Sequence, residues 1–187
     1  MQHYLTYLNN AIKKHWTKPA FSNFGGETYT YAQIAEGIEK YHLLFDACGL
    51  KKGDKIALYA RNSAEWGIAY LAVVSYDAVV VPFLPDFLAS AVVELSHFSE
   101  CRMMICDSVA FDMLKADKAL LDRLNAIENF TCTVNVKDIS LLNSECKKCE
   151  EAATNLNAAF AERFPQGLKP EMVDYCKTDM EALAVIS

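Results

Sequence analysis

Apolar positions in this chain follow two periods. At Ile34, Ile38, Tyr41, Phe45 and Cys48 they recur at helical spacing, which predicts one buried stripe. Over Lys55–Ala60, Ala78–Phe83 and Arg102–Asp107 they run on almost without a break, as strands covered on both faces do. The long helix is punctuated at both ends. Thr30 and Gln33 have the spacing of a capping box, and Gly49 stands where a left-handed C-terminal cap belongs, with Leu50 placed to pack back on the last turn. Asn62 and Glu65 form a second capping pair, predicting a helix to about Ser75, and a further helix is expected from about Leu88 to Phe98. Strands thus alternate with helices, which predicts an α/β fold: a mainly parallel sheet with helices on both faces.

Two elements precede that unit. Tyr4, Leu5, Leu8 and Ile12 mark an amphipathic helix over residues 1–16. The alternating runs Ala20–Phe24 and Thr28–Tyr31 flank Gly25-Gly26-Glu27 and predict a β-hairpin. Residues 108–180 are less regular. Short helices are expected at Val109–Lys115 and Lys118–Ile127, then a strand at Thr131–Val136. One longer helix follows at Ser144–Phe164, turning Cys149, Ala152, Leu156, Phe160 and Phe164 inward. Gln166–Asp179 reads as a loop, with Gly167 as cap and Pro170 as breaker. The last stretch, Glu181–Ser187 (EALAVIS), has the pattern of a buried strand.

Composition narrows the class. The 187 residues are 52% hydrophobic and 22% charged, so a globular domain with a core is expected, and 1–187 reads as a single α/β domain. The net charge of −6 and the scattered Lys and Arg exclude a nucleic-acid binder. The most apolar stretch, Gly67–Pro85, is interrupted by Asp77, Pro82 and Pro85. A carboxylate at mid-membrane costs about 2.5–3.5 kcal/mol on insertion scales, so no transmembrane segment is expected. No signal-peptide pattern opens the chain, and seven cysteines is an odd count. Both suit reduced thiols in a cytoplasmic protein, with peripheral membrane attachment left open.

Candidate chemistry is sparse. There is neither a Walker A pattern nor G-x-G-x-x-G. Cys146 and Cys149 form a C-x-x-C, but no second ligand pair accompanies them in sequence, so two cysteines on one helix is the favoured reading. His97 is expected to serve a helix end or to pair with Glu94, and His42 to be exposed. The acidic pairs Asp86 with Glu94 and Asp107 with Asp112 are candidates for acid–base work. Asp107 is the stronger because it ends a strand, yet helix capping is preferred for it. No residue of 1–187 is assigned a catalytic, cofactor-binding or metal-binding role.

The stretch TYTYAQIAEGIEKYHLLFDACGLKKGDKIALYARNSAEWGIAYLAVVSYDAVVVPFLP resembles the N-terminal part of AMP-forming acyl-CoA synthetases. The likeness rests on a Thr-Tyr before a helix, Gly-x-x-x-Gly-Asp, Asn-Ser-x-Glu-Trp, and a helix entering a Val-Val-Pro strand. It covers residues 15–107 and is weak over 108–180, whose length is more like that of long-chain fatty acid ligases. Tyr76-Asp77 stands where the family has a small Ala-Gly pair, and its small-residue pattern also changes at Glu100-Cys101. The resemblance implies an enzyme that activates a carboxylic acid with ATP and Mg2+ through an acyl-adenylate and passes it to coenzyme A. It also implies a phosphate loop directly after Ser187. On that reading 1–187 is the N-terminal portion of a larger synthetase domain, inactive alone, binding no cofactor itself and open to self-association. The alternatives are an adenylating enzyme for an aryl or amino acid and a non-catalytic α/β binding module.

Overall fold

The computed structural model describes residues 4–175 and 185–186. The first helix is α1 (Tyr4–His15), followed by the antiparallel hairpin β1 (Pro19–Ser22) and β2 (Thr28–Thr30). Gly25 takes φ +66° in the turn, a conformation costly for any residue with a Cβ.

Helix α2 (Tyr31–Ala47) starts on the expected capping box: Thr30 Oγ1 accepts from Gln33 N, and the Gln33 side chain accepts from Thr30 N. It ends as expected too. Gly49 sits at φ +74° and donates to Asp46 O, while the buried Leu50 donates to Phe45 O. Strand β3 (Lys55–Tyr59), helix α3 (Ala64–Ser75), strand β4 (Val79–Phe83), helix α4 (Ala89–Phe98) and strand β5 (Cys101–Cys106) then alternate. Helices α5 (Ser108–Lys115) and α6 (Lys118–Asn125) lead to strand β6 (Cys132–Asn135).

The sheet order is β4-β3-β5-β6-β7, parallel throughout except for the antiparallel edge strand β7 (Leu141–Ser144). Alternation along β3 explains the two covered faces. Ile56 and Leu58 join Ile38, Phe45, Met103 and Ile105 in a core under α1, α2 and α3. Ala57 and Tyr59 join Val81, Met104, Val92 and Phe111 under α4, α5 and α6. Beyond β4, Val185 forms a parallel bridge with Val80, and Ile186 N donates to Val80 O at 3.0 Å. Residues 181–184 and 187 of the expected final strand lie outside the described residues.

Several expectations need correction. The N-cap of α3 is Ser63, whose hydroxyl accepts from Trp66 N, not Asn62. Strand β7 covers 141–143, where no element is expected, and Ser144, the expected start of a helix; its four residues are all half-buried and show no alternation. The single helix over Ser144–Phe164 is two, α7 (Lys147–Thr154) and α8 (Leu156–Arg163), divided at Asn155 with φ −97° and ψ 8°. There Thr154 Oγ1 and Asn155 Nδ2 donate back to the carbonyls of Glu150 and Glu151, the local competition that bends helices. Pro170 opens a 3-10 turn (Pro170–Met172) rather than breaking a helix, since its fixed φ suits a first helical position. The segment behind it is anchored: Tyr175 is buried, its N–H donates to Asn9 Oδ1 and its hydroxyl to Glu39 Oε1. The last part of the expected loop, 176–179, lies outside the described residues.

Candidate functional site

In the order β4-β3-β5, the chain leaves β3 through α3 toward one neighbour and reaches the other neighbour through α4. Helices α3 and α5 leave the carboxyl ends of β3 and β5 on opposite faces of the sheet. Such a switch point opens a crevice, the usual ligand position in open α/β sheets. Here a cavity of about 260 Å³ lies between Asn23, Arg61, Glu65, Asp107 and Lys137. A second of about 250 Å³ shares Glu65, Val136 and Lys137 with it and continues between α2 and α3.

Hydrogen bonds order the crevice wall. Asn23, from the hairpin turn, accepts from Ala64 N at 2.7 Å and donates to both oxygens of Glu65 at 3.2 and 3.0 Å. Tyr29 donates its hydroxyl to Glu65 Oε1 at 2.7 Å. Burial pushes the Glu65 carboxyl up, but the bonds from Tyr29, Asn23, its own backbone and Ser63 outweigh it and hold the group below its ordinary value. Burial and then the Glu65 contact push the Tyr29 hydroxyl up, so it remains a donor. Across the crevice Asp107 caps α5, accepting from Ala110 N at 2.8 Å, and its other oxygen accepts from Arg61 N at 3.0 Å.

This arrangement decides what the crevice can hold. Helix starts at strand carboxyl ends are ready anion sites when their N–H groups are open. At α3 they are taken by Asn23 and Ser63, and at α5 by Asp107. Two carboxylates face the same space. Arg61 and Lys137 line it with them. Helix α4 starts without a side-chain cap, beside the exposed Leu84, Phe87 and Leu88.

The sequence candidates fall as follows. Asp107 is in the crevice as a cap, as preferred. Asp86 and Asp112 are exposed, and Glu94 bonds to Arg123, whose Nη2 donates to it at 2.7 Å, rather than serving His97. His97 lies in the last turn of α4 and lines a larger cavity, about 450 Å³, at the amino ends of the strands. That cavity is the less apt site. Its walls carry charged groups already engaged in ion pairs, Arg102 with Asp54 at 2.7 Å and Lys55 with Glu100 at 3.3 Å. His42 is not exposed: it is half-buried, its Nε2 lies 3.0 Å from both Ala72 O and Ser75 Oγ, and its ring packs on Tyr76 and Tyr175. The C-x-x-C has companions after all. Cys149 is buried against Cys48 and Cys132, which the fold brings from 101 and 17 residues away. Asn23, Tyr29 and Glu65 were missed as a group; the one signal in sequence was a hairpin asparagine with no partner nearby in the chain.

Among known proteins, the model of the family described as AMP-binding enzyme matches residues 8–186. The 4-coumarate–CoA ligase-like 9 of Oryza sativa subsp. japonica is 28% identical over 91 residues, 49% of this chain and 16% of that protein. The medium/long-chain-fatty-acid–CoA/3-oxocholest-4-en-26-oate–CoA ligase of Mycolicibacterium smegmatis is 43% identical over 58 residues, 30% of this chain and 10% of that protein. The chain thus spans only a small part of these relatives. Among solved structures, apo MatB from Rhodopseudomonas palustris superposes with a TM-score of 0.64 at 18% identity. That match covers 99% of this chain and 32% of the other, and shows a shared fold.

Proposed function

The chain belongs to the AMP-binding enzyme family, and on that premise we propose that it is the N-terminal α/β portion of an acid–thiol ligase. The whole enzyme activates a carboxylic acid with ATP as an acyl-adenylate and transfers the acyl group to coenzyme A. The observation that carries this reading is the family match across residues 8–186, joined to a sheet whose last described residues, Val185 and Ile186, run parallel to β4. The share of this segment is scaffold. On this proposal the phosphate loop and the magnesium and coenzyme A sites belong to the rest of the whole enzyme; what supports it is that Ala64 N and Ala110 N at the switch point are already taken by side chains.

A fatty acid is the acid class we favour. What supports it is the 43% identity to a medium/long-chain ligase and the length of residues 108–180. Apolar Leu84, Phe87, Leu88 and Phe98 are exposed around α4; in the whole enzyme they are covered, and the isolated 187-residue chain self-associates through them. Among the described residues no helix is long and apolar enough to cross a membrane. The odd count of seven cysteines is what supports placing the enzyme in the cytoplasm.

Carboxylate-dependent exchange of pyrophosphate into ATP tests the proposal. The 187-residue chain alone is expected to give none. The chain with its downstream sequence is expected to exchange most strongly with long-chain acids in a panel that includes acetate and 4-coumarate. Exchange by the 187-residue chain alone would overturn the scaffold role. Preference for coumarate or acetate would overturn the fatty-acid assignment while keeping the ligase.

A further inference from the structure

Three cysteines converge where the ends of three elements meet, and a fourth stands beside them in sequence. Cys48 caps the carboxyl end of α2, Cys132 opens β6, and Cys146 and Cys149 flank the first turn of α7. The sulfur atoms of Cys48, Cys132 and Cys149 all lie within 4.8 Å of one another, in thiols that are free and buried. Cys146, which is half-exposed, is the N-cap of the same helix, at C-x-x-C spacing from Cys149.

That spacing suits a shared ion. A tetrahedral ion bound to sulfur at about 2.3 Å holds its ligands roughly 3.8 Å apart, so the three need only a small contraction. The donor set is all sulfur, which selects a soft d10 ion and rejects magnesium or calcium. Cys146 supplies the fourth ligand at C-x-x-C spacing from Cys149. It also lines a cavity of about 120 Å³ with Asn125, Thr131 and Glu145, an entry path that the three buried thiols lack on their own. Lys147 and Lys148, between the two cysteines, offset the charge of a four-thiolate centre.

We propose that Cys48, Cys132, Cys146 and Cys149 form a structural zinc site that fastens α7 and the β6 edge of the sheet to the end of α2. Binding replaces four S–H bonds by four zinc–sulfur bonds and releases four protons to solvent. No electron transfer is involved.

Cobalt(II) titration of the reduced, metal-free 187-residue chain tests this. One equivalent is expected to produce sulfur-to-cobalt charge-transfer absorption, which zinc then bleaches. Elemental analysis of chain produced with zinc is expected to find one ion per molecule. Cys132→Ser and Cys149→Ser are expected to lose the band, whereas Cys101→Ser, a buried thiol outside the cluster, keeps it. Since a buried serine can itself unfold the chain, the half-exposed Cys146→Ala provides the second arm. It is expected to keep its circular dichroism and to shift the cobalt spectrum from a four-sulfur to a three-sulfur pattern. Absence of the band in the parent chain, an unshifted spectrum in Cys146→Ala, or a disulfide among these cysteines in freshly isolated chain would each overturn the site.

Discussion

The two ends of the parallel sheet are held by different physics. At the amino ends, helices give way to strands through left-handed turns at Gly49, Asp77 and Glu100, and ion pairs tie the turns together. Arg102 alone reaches Asp54, Gly49 O and Asn129 O. At the carboxyl ends of β3 and β5, neutral donors and backbone N–H groups converge on Glu65 and Asp107. The first end locks the connections that set strand order. The second fixes a crevice wall in advance, the kind of ordering a binding surface needs. The larger cavity is at the first end, so cavity size and prior ordering single out different ends.

The strongest way to break this contrast is at Asn23, which links the hairpin to α3. Asn23→Ala removes the acceptor for Ala64 N and both donors to Glu65. A cost of about 2 kcal/mol is expected in urea unfolding, since several partly buried groups lose partners at once. A change under about 0.5 kcal/mol, the usual scale of an exposed surface substitution, would mean that the wall is ordered by something else. Next is Arg102→Met, which keeps the stem and removes the guanidinium. Arg102 and Asp54 are each about one-fifth exposed, at 23% and 20%. Solvent screening therefore limits the expected loss to about 1–1.5 kcal/mol, below what a fully buried pair would give. The gap between parent and variant should narrow in about 1 M salt, where the screening length is near 3 Å. The Asn23→Ala gap should not.

The amino end was far more legible in sequence than the carboxyl end. The Gly49 cap and the strand runs are local patterns, each complete within a few residues, and both stand where expected. Glu65 was read as the partner of Asn62 because the spacing allowed it. In the fold Ser63 takes the cap, and Glu65 turns to Asn23 and Tyr29, 42 and 36 residues away. The thiol cluster was hidden in the same way, since Cys48 and Cys132 join Cys149 only once β6 lies in the sheet. Local rules find caps and strands; contacts set by strand order need the order first.

Asp77 is a smaller test at the amino end, and it reverses sign. It ends α3 at φ +64°, with Ala78 N donating to Val73 O, the turn that Gly49 makes after α2. A residue with a Cβ is strained there, so Asp77→Gly is expected to stabilise the chain by about 0.5–1 kcal/mol. The higher entropy of glycine in the unfolded chain works against this gain. A destabilised variant would show that the Asp77 side chain contributes more than its backbone strain costs.

The smallest effect is one of pH, and it belongs to the carboxyl end. The Glu65 carboxyl is held below its ordinary 4.5 in the folded chain because accepted hydrogen bonds outweigh burial. Its stabilising contribution is therefore complete above about pH 4.5 and is lost as pH falls through the lower folded value. Glu39 leans the other way. Burial raises it despite the Tyr175 bond and Arg163, so its contribution is complete below about pH 4.5 and lost as pH rises through the higher folded value. Urea midpoints across pH 3–6 separate the two. Glu65→Gln should flatten the acid side of the stability curve, because an amide has no proton to take up there. Glu39→Gln should flatten the opposite side. Identical acid slopes in the parent and Glu65→Gln would mean that Tyr29 and Asn23 do not hold Glu65 as a carboxylate. The crevice wall would then rest on Asn23 and Asp107 as backbone caps alone.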